Sequence, residues 1–362
     1  MTDHPRSRRL RIAMLAPPWI PVPPPAYGGI EHVVALLCEA LVARGHDVEL
    51  FCSPGSHSRA TVRPLLSAPH PDRIEHAIFE ADHVARAFAA IENAAGGFDV
   101  VHDHCGFTAL AMADRLDTPL VHTVHGPFDD DAGAFYAHHA TKGSLVCLSE
   151  AQARQAPLGV SVAAVVHNPI DVDVWPPPER KLDYLLWIGR MHPVKGPHRA
   201  IEVARATGRR LVLAGPVQPG FEEFYRAHVA PHVDGDAVCY VGEVGGARKH
   251  QLFAEAHALL MPIRWPEPFG MVMVEALASG TPVIAFSSGA APEIVDHGET
   301  GFLVDDEDEM AAAVEAAGDL DPARCRQHVA ERWSPARIAA GYETVYRNAR
   351  RPAPPGIIAP AA

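Results

Sequence analysis

The chain has 362 residues, 48% hydrophobic and 21% charged, which is long enough for two domains with separate cores and ordinary for a soluble globular protein. Its 31 basic and 44 acidic side chains leave a net charge of −13, a balance that repels polynucleotides over the surface as a whole and sets nucleic acid aside as a partner. No apolar run approaches a bilayer span, and the basic stretch near the start leads into a strand-length run ended by prolines, so no integral membrane segment is expected and the expected location is cytoplasmic.

Strand-like and helix-like segments alternate from the start. LRIAMLA (10–16) reads as a first strand and is followed by a proline-rich loop, a helix over 31–44 stopped by Gly45, and the strand DVELF (47–51). Further strands are predicted at FDVVH (98–102), PLVHTVH (119–125), SLVCL (144–148) and AAVVH (163–167). WPPPERK (175–181) interrupts the pattern as a hinge. Alternation then restarts with DYLLWIG (183–189), a helix over 197–207, RLVLAG, AVCYVG, HALLMP, a helix over 269–279 and PVIAF. Two alternating halves joined by a hinge predict an α/β protein of two doubly wound domains, residues 1–174 and 175–334, facing a central cleft where the strand ends converge. A last helix over 335–347 is a candidate to pack back on the first half, and residues 351–362 read as a disordered tail. The six cysteines, Cys38, Cys52, Cys105, Cys147, Cys239 and Cys325, stand singly on apolar segments and read as reduced core residues.

Neither half carries the G-x-G-x-x-G fingerprint or a Walker loop, which disfavours bound NAD and ATP splitting. GRMHPVKG (189–196) follows a strand directly and puts Arg190 and Lys195 at its carboxyl end, where two cations suit a diphosphate. PPPAYGGIEH (23–32) ends with Gly28 and Gly29 at a helix start; a plain tight turn explains them as well as close approach of a ligand does. HTVHGPF places His125 just past a strand, either as a polar contact in the cleft or as a satisfied core histidine. HDHC (102–105) has metal-like spacing, but strand alternation and the lack of a third ligand nearby argue against a metal.

WPEPFGMVMVEALASGTPVIA (265–285) sets Glu267 and Glu275 in an otherwise apolar stretch. Prolines 266 and 268 hold Glu267 on a loop, while Glu275 falls in the helix that follows. Taken alone, the pair reads as a helix-start charge and a partly exposed helix residue. An unpaired buried carboxylate is costly, however, and the open amides at Phe269, Gly270, Met271 and Val272 make an anion site, so an anion bearing hydroxyl groups would satisfy all parts together.

The ordered set YGGIEHVV, LVARGHDVELF, FDVVHDH, VHG, LSE, HNPIDVDVW, GRMHPVKG, LAGP, YVGEV, EPFGMVMVEALASGTPVIA and APEIVDHGETGFLV resembles the retaining glycosyltransferases of family 4, which have the GT-B fold. The proline-rich YGGIE opening further resembles a bacterial subgroup of that family. The resemblance implies that Glu267 contacts sugar hydroxyls of a nucleotide-sugar donor and that Glu275 binds its ribose. It implies that the amides of Phe269, Gly270 and Met271 hold the phosphates, that Arg190 and Lys195 neutralise the diphosphate, and that His125 reaches the donor sugar, with Gly28 and Gly29 also on the donor. LAGP stands where a glycine-x-glycine is frequent, which leaves base recognition open.

The expected reaction is transfer of a hexose from a nucleotide sugar, with UDP the expected nucleotide, to a hydroxylated small molecule or glycan. No metal or resident cofactor is implied. Cations at the leaving group stabilise charge that develops in the transition state, and no second carboxylate near His125 offers a nucleophile, which favours a front-face route. A sugar-nucleotide epimerase of the same fold and a non-catalytic nucleotide-sugar sensor are the rival readings.

Overall fold

The strand-length apolar runs form two all-parallel sheets, as strands buried on both faces do when helices cover each side. The computed structural model describes residues 8–26, 28–74, 76–177 and 179–349. The predicted tail at 351–362 lies outside them. In the first half the strands are β1 (Arg11–Leu15), β2 (Asp47–Cys52), β3 (Thr61–Pro64), β4 (Val100–Asp103), β5 (Leu120–Thr123), β6 (Ser144–Cys147) and β7 (Val162–Val165). They are ordered β3-β2-β1-β4-β5-β6-β7. In the second half β8 (Tyr184–Ile188), β9 (Arg210–Ala214), β10 (Val238–Tyr240), β11 (Ala258–Met261), β12 (Val283–Phe286) and β13 (Gly301–Val304) are ordered β10-β9-β8-β11-β12-β13.

Strand order reverses between β1 and β4 and again between β8 and β11, and beyond the carboxyl ends of such strands an open parallel sheet leaves a crevice for ligands. The register that fixes these ends pairs Ile12 with both Val48 and Val100, and Leu185 with both Leu211 and Ala258. All six cysteines are free and buried.

One hydrophobic cluster runs through both halves. It joins Ile12, Leu37 and Val100 to Phe253, Met273 and Leu277 by way of Ile170, Trp175 and Trp333. The helix Pro335–Asn348 completes it on the first half's side, where Tyr342 and Tyr346 are buried. Their hydroxyls bond Thr123 (2.9 Å) and His102 (2.8 Å). Glu343 on the same helix is paired with Arg44, lies 3.0 Å from His46 Nε2, and accepts from Arg347 at 2.9 Å.

Two elements differ from the expectation. The helix predicted over 269–279 spans Met271–Ala278, because Gly270 sits at φ 87° and a left-handed residue caps a helix rather than entering it. The first long helix begins earlier than predicted, at Gly29–Ala43, with Gly28 as its cap.

Burial pushes the Glu343 carboxyl up, but hydrogen bonds from Arg44, His46 and Arg347 outweigh it and hold the group at about 2 against an ordinary 4.5. A depressed folded-state value stabilises the fold above the unfolded value and loses that contribution as pH falls. Glu343→Ala is expected to cost about 2–3 kcal/mol at pH 7 in urea unfolding. Its deficit against the parent should shrink as pH falls from 4.5 towards 2.

Candidate active site

Beyond the end of β8, Gly189 N donates to Ala214 O (3.0 Å) and Met191 N to Pro216 O (2.8 Å), so the GRMHPVKG loop is pinned against the LAGP loop. Trp187 Nε1, on β8, donates to Lys195 O at 3.0 Å, and Arg199 reaches Pro262 O at 3.3 Å, tying the loop to the exit of β11. Lys195 is thereby carried to the EPFG segment. Its ammonium lies 2.5 Å from Glu267 Oε2 and 4.6 Å from the centre of the Trp265 ring. Trp265 Nε1 donates to the same Oε2 at 2.7 Å. Glu267 Oε1 has no hydrogen-bond partner among the described residues. Arg190, half-buried, has no carboxylate partner among them either.

Glu275 lies four residues into the Met271–Ala278 helix and is only 5% exposed. Lys249 Nζ, from the helix Gly246–Glu255, donates to Glu275 Oε1 at 2.6 Å. Glu275 Oε2 is buried with no hydrogen-bond partner among the described residues. At the start of this helix Gly270 has no side-chain cap to offer, and a Cβ there would stand 2.6 Å from Met273 Cε. Met273 N donates to Gly270 O at 3.0 Å, while the amides of Met271 and Val272 have no partner among the described residues and stay open to an anion. Phe269 and Met271 flank the cap, with the Phe269 ring buried against Trp333 and His167.

The first half meets the second at several points. Gly28 lies at φ 151° against Pro24 and Glu31, whereas a Cβ at Gly29 would meet nothing within 4 Å, so the backbone there faces open space. Glu293 of the second half accepts from the amides of Glu150 (2.9 Å) and Ala151 (2.7 Å) in the first. Burial raises the Glu293 carboxyl, but His167 and those two amides outweigh it and hold the group below its ordinary value.

His125 follows β5, and its Nε2 is engaged by His104 Nδ1 at 2.8 Å. Burial, aided by the His122 imidazole, pushes His125 down to about 3. A ring that stays neutral at pH 7 is a hydrogen-bonding group rather than a proton acceptor of useful strength. His102 and His104, the metal-like pair in sequence, are buried among Thr123, Tyr346 and His125, and burial holds both well below the ordinary value. Asp171 accepts from Asp173 N in a single helical turn, a structural use of that DVD. Ser149 caps the short helix Glu150–Arg154 by accepting from Gln152 N at 3.0 Å.

The second half therefore carries two lysine-paired carboxylates, each with one oxygen unpartnered among the described residues, and a helix start without a side-chain cap. Residues 27–174 match the family model described as Glycosyltransferase Family 4, and residues 174–328 match that of Glycosyl transferases group 1. The chain is a glycosyltransferase. It is 28% identical to the D-inositol 3-phosphate glycosyltransferase of Acidothermus cellulolyticus, over 86% of this chain and 83% of that one. Among solved structures it is similar to AviGT4, a glycosyltransferase involved in avilamycin A biosynthesis, at 29% identity and TM-score 0.70, covering 94% of this chain and 97% of that one. It shares its fold with Anabaena Alr3699/HepE, solved in complex with UDP and glucose, at 19% identity and TM-score 0.71, covering 94% and 100%. These neighbours place the glycosyltransferase in the GT-B fold.

The sequence motifs pointed to both glutamates of this glycosyltransferase but not to their lysines as a set. Lys249 stands 26 residues before Glu275 in no recognisable pattern, and His104 comes beside His125 only because β4 and β5 are neighbours. Glu31 of the YGGIE segment was also missed. It is 5% exposed at the first helix start, and burial raises its carboxyl from 4.5 to about 7. A raised folded-state value contributes stability below the unfolded value and loses it as pH rises through the folded one. Relative to Glu31→Gln, the parent should lose roughly 2–3 kcal/mol of unfolding free energy between pH 4.5 and pH 8. Parallel pH profiles for the two proteins would show that the carboxyl is not the group responsible.

Proposed function

We propose that this glycosyltransferase moves a hexose from a UDP-sugar to a hydroxyl of a small-molecule or glycan acceptor, with retention of anomeric configuration and without a metal ion. The observation that carries the reading is the buried Oε2 of Glu275, unpartnered among the described residues, on a helix whose first turn has no side-chain cap. A carboxylate oxygen left dry and unpartnered costs free energy unless a ligand hydroxyl completes it, and a ribose diol suits it. Uridine is the base expected from the sequence, and the UDP and glucose held by the Anabaena protein are compatible with it.

In this reading the open amides near Phe269, Gly270 and Met271 take the phosphates, and Arg190, which has no carboxylate of its own, faces the leaving diphosphate. Lys195 and Glu267 act as a unit: the lysine ties up Oε2 and leaves Oε1 for a sugar hydroxyl. The acceptor oxygen bonds to the anomeric carbon as the glycosyl–phosphate bond breaks. The electron pair of that bond stays with the diphosphate, and the acceptor's proton passes to a leaving phosphate oxygen. Charge grows on the diphosphate as the bond lengthens, so fixed cations and amides favour the transition state over the ground state. His125, neutral and held by His104, serves as a hydrogen-bonding contact to the sugar.

Incubating the protein with a panel of nucleotide sugars and hydroxylated acceptors tests this. UDP release should require acceptor, NMR of the product should show the donor's anomeric configuration, and chelator should leave the rate unchanged. An inverted product, or a rate abolished by chelator and restored by magnesium or manganese, would overturn the mechanism, and donor epimerisation without acceptor would overturn the transfer itself. His125→Ala should keep near-parental affinity for UDP while turnover falls roughly 10- to 100-fold, the loss of one hydrogen bond in the transition state. Transfer at the parental rate would return His125 to a structural role.

A further inference from the structure

Glu275 needs a counter-charge, because a carboxylate at 5% exposure is otherwise a large desolvation cost. Among the described residues Lys249, on the Gly246–Glu255 helix, contacts it directly, and His32 on the first half's Gly29–Ala43 helix and His250 are near enough to interact with its charge. Burial holds both histidines below their ordinary value, so at pH 7 they are neutral and the positive charge beside Glu275 is that of Lys249. The ammonium is itself confined, 5.6 Å from the centre of the Trp175 ring and 6.0 Å from that of Phe253, with Nζ 2.6 Å from Glu275 Oε1.

That arrangement sorts the two carboxylate oxygens. Each oxygen of an ionised carboxylate can accept two hydrogen bonds. Oε1 has given one site to Lys249, and Oε2 is bare. A single fixed donor on one oxygen stops the carboxylate from rotating and presents the remaining sites on one edge, the geometry that a vicinal diol requires. We propose that Lys249 is a positioning residue for the nucleotide's ribose, supplying the counter-charge of Glu275 and fixing its carboxylate so that a 2′,3′-diol can be read. Nothing in the motifs pointed to this residue. The inference rests on the reading of Glu275 as the ribose-binding acid.

The experiment is calorimetric binding of UDP and of 2′,3′-dideoxy-UDP to the full-length protein. Their affinity ratio reports ribose hydroxyl recognition separately from phosphate and base contacts, and a merely structural role would weaken both ligands together. The parent should prefer UDP by about 10- to 100-fold. Glu275→Ala should bring the ratio close to one. Lys249→Met should do the same while retaining affinity for dideoxy-UDP, Lys249→Arg should recover most of the preference, and Glu275→Ala with Lys249→Met should discriminate no less than either alone. Should Lys249→Met fail to fold, Lys249→Gln is read by the same ratio. If Glu275→Ala keeps the parental ratio, the ribose assignment of Glu275 is wrong. If Glu275→Ala loses it and the Lys249 variant keeps it, the ribose assignment stands and the role given to Lys249 falls.

Discussion

Two lysine–glutamate pairs organise the second half's face of the cleft, Lys195 with Glu267 and Lys249 with Glu275. In each, one carboxylate oxygen is engaged by the ammonium and the other has no hydrogen-bond partner among the described residues. Pairing makes it tolerable to bury acids beside an apolar helix, and incomplete pairing leaves them useful. Fully satisfied carboxylates would be inert struts. Wholly unpaired ones would be too costly to keep ionised in this setting.

The positions of these pairs follow from the parallel sheet. β8 and β11 are adjacent, so the loops that leave them are thrown together even though they are far apart in the chain, and Lys195 meets Glu267 across 72 residues. The first half repeats the device with histidines: β4 and β5 are neighbours, and His104 and His125 meet just beyond them. Topology thus converts separated motifs into contacts. Glu293 then joins the two halves through the amides of Glu150 and Ala151.

Much of this was legible in sequence because parallel strands buried on both faces read as short unbroken apolar runs, as in YLLWI and RLVLA. β3 was not legible, since TVRP is a largely exposed edge strand with no apolar run to mark it. Nor was β13, whose Gly301 pairs closely with Val283 and interrupts the apolar signal. Glu267 and Glu275 stood out because charge is conspicuous in an apolar stretch. Lys249 did not, because a lysine among GARKHQ looks like an ordinary solvated helix face, and only the approach of Trp175 from outside that helix marks the ammonium as turned inward. His125 could be placed at the cleft from its position after a strand, whereas its hydrogen bond to His104 depends on strand order, which periodicity does not encode.

The helix Pro335–Asn348 gives the chain an unusual order of completion. Its tyrosines supply the hydrogen-bonding partners of His102 and Thr123 in the middle of the first sheet, and its glutamate takes up Arg44 and His46. Those buried histidines are made early during synthesis and their partners last. A ribosome-bound chain that has emerged only through the hinge therefore holds a first sheet in which His102 and Thr123 have each other but lack the two tyrosine hydroxyls. Two units that look separable on the linear map are tied by a segment that follows the second and finishes the hydrogen bonding of the first.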